Sequence, residues 1–193
     1  MMVKNLIYDT FITRTGSQIR VREIRQDDAP YLLEIFEHMS ADSRYRRFHQ
    51  SMENLSAERK WQEAERIAKT DPTRSGGIIA FADFPGEPNM AVAAARFVCT
   101  GNGTAEAAVS VIDTMQRQGM GTKLMDMLIE LAQAAGVRHL VASVQNDNVG
   151  IWKILQRLPY VTTRVSQGSF SEIIVDLTQR RETAVVTPSA TTS

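Results

Sequence analysis

The chain has 193 residues, 43% of them hydrophobic, and sets 22 basic side chains against 22 acidic ones. That is enough apolar material for one soluble domain with a real core, and the even charge removes the electrostatic reason to expect nucleic acid or an anionic membrane as the main partner. The single Cys99 excludes an internal disulfide and, in its apolar run, reads as an inert buried thiol. No signal-peptide pattern, membrane-length apolar run or internal repeat is visible, so the cytoplasm is the expected compartment.

Residues 1–14 alternate too loosely to define an element, and residues 1–18 are expected as an N-terminal extension laid against the domain. Residues 19–24 alternate apolar and polar for a strand. Asp27-Asp28-Ala29-Pro30 then offers a capping carboxylate and a first-turn proline to a helix striped by Leu32, Leu33, Ile35, Phe36 and Met39. In Ser43-Arg44-Tyr45-Arg46-Arg47-Phe48 arginines alternate with aromatics. One reading is a basic patch on the substrate or phosphate side; the favoured one is a short helix that buries Tyr45 and Phe48 and leaves its arginines in solvent. Ser56 caps a helix over residues 57–69, whose polar exterior suggests a cover over one side of a site.

Strands follow. Residues 77–83 and 90–99 flank the turn Pro85-Gly86-Glu87-Pro88-Asn89, and Gly101-Asn102-Gly103 leads into a third strand over 104–112. After a long amphipathic helix with Leu124, Leu128, Leu131 and Ala135 on one face, Gly136 supplies a stop. Residues 139–144 are a strand, 148–158 a helix, and 160–165 with 169–176 a terminal hairpin. The Thr-, Ser- and Ala-rich residues 178–193 have little to bury and are expected as a flexible tail.

The junction between the third strand and the long helix is the most informative stretch. Its loop, Gln116-Arg117-Gln118-Gly119-Met120-Gly121, opens the helix where first-turn N–H groups lack partners and the helix dipole is positive. Glycines at 119 and 121 allow close approach to the backbone, so the loop suits a phosphate. It lacks the Lys-Ser/Thr ending of a Walker loop and the third glycine of a dinucleotide fingerprint. Two glycines at this spacing also serve as a plain helix-opening turn, and the loop alone does not choose.

Gln-x-x-Gly-x-Gly at Gln116, Gly119 and Gly121 resembles the pyrophosphate loop of the GNAT N-acetyltransferases. The likeness extends over roughly residues 19–177, in the element order strand, helices, three-stranded meander, helix, strand, helix, strand pair. Within that superfamily the chain is similar to the acetyltransferase domain of bacterial protein-lysine acetyltransferases, on Met39 to Phe48, on Ala105-Glu106-Ala107-Ala108-Val109 and on Asn148 to Tyr160. Some of those relatives carry fused cyclic-nucleotide-binding or acyl-CoA-synthetase-like regions absent from these residues. The resemblance implies an α/β (α+β) GNAT fold: a mixed, mainly antiparallel sheet, splayed at the acetyl-CoA site and flanked by helices.

It also implies a site. Acetyl-CoA is the implied cosubstrate, its pantetheine arm bonding to main-chain groups of Val109, Ser110 and Val111 and its pyrophosphate held by Gln116, Gln118, Gly119, Met120, Gly121 and Thr122. Asn148 matches the family asparagine that contacts the cofactor arm, and serves equally well as an N-cap. Glu106 matches the family's catalytic glutamate. An amine of pKa about 10.4 is mostly protonated near neutrality and needs a base, and burial of Glu106 would raise its pKa toward that task. The alternative is an exposed strand glutamate, paired for instance with Arg96. At the position where many relatives have a thiol-protonating tyrosine this chain has Leu155, and Pro159-Tyr160 replaces the usual Gly-Phe, so no general acid is assigned.

His38, His49 and His139 are scattered without ligand spacing, and no metal is implied. Asn146 and Asp147 lie near the expected substrate end without an assigned role. The expected function is acetyl transfer to a primary amine, with a protein lysine favoured by likeness. The alternatives are a small amine, such as a polyamine, amino acid or antibiotic, and a non-catalytic acyl-CoA sensor. The expected assembly is a monomer or homodimer.

Overall fold

A computed structural model describes residues 9–48, 55–69 and 71–181. Its eight strands form one sheet, in the order β1-β2-β3-β4-β5-β6-β8-β7. They are β1 (Asp9–Ile12), β2 (Gln18–Glu23), β3 (Ser75–Phe84), β4 (Glu87–Gly101), β5 (Thr104–Val111), β6 (His139–Gln145), β7 (Tyr160–Gln167) and β8 (Phe170–Arg180). Every neighbouring pair is antiparallel except β5 and β6. Five helices flank them: α1 (Ala29–Glu37), α2 (Ala41–Phe48), α3 (Ala57–Ala68), α4 (Met120–Ala134) and α5 (Val149–Arg157).

The period of two along β4 and β5 sorts side chains between two layers. Ala94, Arg96, Ala108 and Ser110 face a cavity beneath α1, α2 and α3. The opposite face carries Ala93, Ala95, Phe97, Ala105 and Ala107, all buried, and α4 packs against β3, β4 and β5. Gly76 shows how tight that second layer is: a Cβ there would lie 2.7 Å from the Phe97 ring and 3.2 Å from Leu131 of α4.

Two expected boundaries move. Residues 9–12, placed in the N-terminal extension, form an edge strand on β2, and residues 178–180, placed in the tail, continue β8. Loose alternation hid the first because an edge strand needs only one buried face. The expected face of α4 also shifts, since its buried stripe is Leu124, Met125, Leu128, Ile129 and Ala132, and Ala135 is an exposed C-cap.

Leu155 packs into the core at 5% exposure, as a helical leucine should, with α5 held by its Asn148 cap. Leu155→Ala is expected to lower stability by about 2–5 kcal/mol, read from a denaturant midpoint. Leu155→Tyr should bring no large rate gain; a gain without better folding or binding would show that thiolate protonation limits turnover.

Candidate active site

The site begins where the two parallel strands part. β5 pairs with β6 only from Thr104–His139 to Glu106–Val141. Beyond that, β5 continues beside β4 as far as Val111 while β6 continues beside β8, leaving a wedge between them. In an antiparallel pair the hydrogen-bonding groups of successive residues point to alternate sides. Ile112 donates to the Val92 carbonyl, 3.0 Å, so the even-numbered residues bond to β4 and the odd-numbered ones turn away from it. Val109 and Val111 therefore present N–H and C=O groups to the wedge. Ser110 does not: its backbone faces β4, and only its side chain lines the cavity below the helices.

The loop at the mouth of the wedge separates the roles of its residues. Gly119 is the N-cap of α4 at φ +94°, a left-handed backbone that disfavours other residues, and the nearest atoms to a Cβ there are those of Arg14, 3.9 Å away. The first α-helical bond is Lys123 N–H to the Gly119 carbonyl, so the N–H groups of Met120, Gly121 and Thr122 are left for a guest. Gly121 differs from the expectation. A Cβ there would strike Ile154 Cδ1 at 2.7 Å, so this glycine lets α4 and α5 approach and does not clear space for a ligand. The Met120 side chain is buried, which leaves only its backbone to the site.

Gln116 and Gln118 act through the protein. Gln116 Nε2 donates to the Val111 carbonyl at 3.1 Å and to Ser43 Oγ at 3.0 Å, occupying one of the wedge's acceptors. Asp113 accepts from Ser40 N–H (2.6 Å), Ser40 Oγ (2.8 Å) and Ser43 Oγ (2.8 Å), tying α2 to the loop. Burial pulls the Asp113 carboxyl up, but these bonds hold it below the ordinary range. Gln118 Nε2 donates to the Thr114 carbonyl at 2.7 Å, and the Gln118 carbonyl accepts from Arg14 N–H at 3.1 Å. Thr15 bonds its side chain. Sequence reading missed Ser40, Ser43, Asp113 and Arg14 because partners some 70 to 100 residues apart leave no local signal.

Asn148 Oδ1 caps α5 through Ile151 N–H, 3.3 Å. Asn146 is committed to structure: its Oδ1 accepts from Ser171 (2.6 Å) and Arg164 (3.1 Å). Asp147 is exposed, 3.8 Å from Arg46. His38 bonds the Glu34 carbonyl and His139 lies 3.9 Å from Asp176; His49 falls outside the described residues.

Glu106 lies on the helix-covered face of β5, one step from Ala108 and Ser110. It is exposed, which corrects the burial expected of it, and among the described residues no cation comes within 4.0 Å to pair with it. The alternative of an Arg96 pair is therefore not realised. The Arg44–Phe48 segment meets expectation in Phe48, which packs on Phe36 and lines the cavity, and departs from it in Tyr45 and the arginines. Tyr45 is the exposed side chain, whereas Arg44 stacks on Phe36 and donates to the Phe36 and Glu37 carbonyls, at 3.0 and 3.1 Å. The C-terminus of α1 is the negative end of the helix dipole and draws the cation, although the Phe36 carbonyl already accepts from Met39 N–H at 3.2 Å.

Arg47 and Arg96 reach into the cavity among Leu33, Phe36 and Phe48. Arg47 Nε and Arg96 Nε and Nη1 are buried without a hydrogen-bond partner among the described residues. Burial, then repulsion from Arg96, pulls the Arg47 guanidinium down to about 10, against an upward pull from Glu106. Burial and then Arg66 lower Arg96 in the same way.

A sheet that opens beside a helix N-terminus defines a class, and comparison with known proteins agrees with it. Residues 18–160 match the family described as the acetyltransferase (GNAT) domain, and the chain belongs to that family. It is 40% identical over 79 residues to the acetyltransferase Pat of Mycolicibacterium smegmatis, a match covering 40% of this chain and 24% of that protein. The GNAT domain of S. lividans PAT superposes with TM-score 0.72 at 26% identity, covering 87% of this chain and 96% of that one. A cAMP-binding acyltransferase from Mycobacterium smegmatis gives 0.56 at 25% identity, over 87% of this chain and 46% of that one. The chain thus spans about a quarter of the curated relative it matches. No described helix is long and apolar enough to cross a membrane.

Proposed function

We propose that the chain transfers an acetyl group from acetyl-CoA to a primary amine, with Glu106 as general base. The observation that carries this reading is the wedge between β5 and β6, where the Val109 backbone groups and the Val111 N–H, the Val111 carbonyl being held by Gln116, adjoin three N–H groups at the start of α4 that have no acceptor among the described residues. A thioester's amide-bearing arm fits the first and a pyrophosphate the second. Acetyl-CoA supplies the activated acyl group. Glu106 takes one proton from the ammonium, the freed nitrogen forms its bond to the acetyl carbon, and the carbon–sulfur bond breaks as the oxyanion re-forms the carbonyl; the nitrogen's second surplus proton passes through solvent to the leaving thiolate. A strand N–H at Val109 or Val111 is placed to meet the developing oxyanion.

A protein lysine is the acceptor favoured by likeness to the Pat proteins. A small amine is the second reading, favoured by the cavity beneath α1 to α3. Release of free CoA, followed with a thiol reagent over a panel of proteins and small amines, tests both. Tight acetyl-CoA binding with no release on any amine would leave the sensor reading standing.

A further inference from the structure

The cavity under α1, α2 and α3 holds two guanidinium groups with N–H donors that no described residue accepts, although the Arg47 guanidinium stacks on Phe48 at 4.8 Å. Leaving charged N–H donors buried and unpaired is costly, and folded chains rarely do so without a partner in view. Among the described residues Glu63 pairs with Arg66 through two bonds, 2.6 and 2.8 Å, and Lys60 with Glu37 at 2.9 Å, so the charges of Glu63 and Glu106 act on the two guanidiniums only at a distance. The remaining described walls are hydrocarbon apart from Ser110, with Leu33, Phe36 and Phe48 among them. The cavity measures about 60 Å³, room for roughly four to six waters or a carboxylate with a few carbons.

Position adds direction. Arg96 sits opposite Ala108, and Glu106 is the next residue on that face of β5. A carboxylate held at Arg96 therefore keeps an amine on the neighbouring carbon on the Glu106 side of the cavity. Resting on the acetyltransferase reading, we infer that this cavity anchors the acceptor by its carboxylate, through Arg47 and Arg96, and that the acceptor is a small apolar amino acid. Its carboxylate meets the two guanidiniums, its hydrocarbon side chain the Leu33, Phe36 and Phe48 walls, and its amine Glu106.

The test compares leucine with 3-methylbutylamine, the same skeleton without the carboxylate, as acceptors in CoA release. The expected preference in kcat/KM for leucine is about 10²-fold or more, as for a site built to bond a group its competitor lacks. In Arg96→Met, and separately in Arg47→Met, that preference should collapse through KM, while calorimetric acetyl-CoA affinity stays within about twofold and thermal stability rises as an unpaired buried charge is removed. Equal use of the two amines, survival of the preference in both folded variants, or equal turnover of a lysine peptide with blocked carboxylates would overturn the inference.

If no amine releases CoA, the acetyltransferase reading has failed and the anchor is judged by binding alone. Isovalerate, an acid without an amine, should then raise the melting temperature where the neutral 3-methylbutanol does not, and Arg96→Met or Arg47→Met should abolish the difference. No difference in the unaltered chain would sink the anchor as well.

Discussion

Glu106→Gln is expected to lower turnover on an ammonium-type acceptor by roughly 10²- to 10⁴-fold while acetyl-CoA binding survives. Glutamine keeps the size of the side chain and much of its hydrogen bonding but cannot accept the proton. Glu106 is exposed and makes no ion pair among the described residues, but its charge pulls on Arg47 and Arg96, so an unchanged denaturant midpoint in the glutamine variant is the check that lost rate is not a folding defect. The deficit should shrink as pH rises toward the amine's own pKa of about 10.4, where free amine appears without help. Single-turnover measurement is the appropriate check, since slow product release would mask part of the effect. Full single-turnover activity near neutrality would leave Glu106 as a strand residue and move the search to a water chain.

Gly119→Glu should weaken acetyl-CoA binding by roughly 10²-fold or more, about 2.7 kcal/mol or above, measured by calorimetry. Gly119 lies at φ +94° directly before the free N–H groups of Met120, Gly121 and Thr122. A carboxylate there takes the electrostatic place of the pyrophosphate and repels it. The same carboxylate is favourable to the empty helix, and Arg14 lies close enough to pair with it, so the fold should persist despite the backbone strain. Gly119→Ala, which adds that strain without the charge, should lose much less. Equal affinity in the folded glutamate variant would remove the loop from the site.

The elements were largely legible from local rules. Ser56 and Asn148 cap α3 and α5 by accepting from Arg59 and Ile151 N–H groups. Gly119 opens α4 and Gly136, at φ +80°, ends it. Alternation marked β2, turn residues bounded the meander strands, and the Gly101-Asn102-Gly103 turn, all at positive φ, fixed where the meander reverses. Such signals live within a few residues of one another, where composition and spacing are sufficient.

What sequence alone determined, then, is the order of elements, the glycine-opened helix and a glutamate on the strand before it. Tertiary structure decided how those parts share work. It gave Gly121 to helix packing and Gln116 to the Val111 carbonyl, turned Ser110's backbone away from the wedge, and placed Arg47, expected in solvent, beside Arg96 in the cavity. Each outcome depends on which distant surface a residue meets: Ile154 against Gly121, Ser43 against Gln116, and the α1 carbonyls drawing Arg44 inward and turning Tyr45 out. Such contacts, whether 8 residues apart like Arg44 and Phe36 or 73 apart like Ser43 and Gln116, are set by the packing of whole layers, and no period or motif along the chain encodes them.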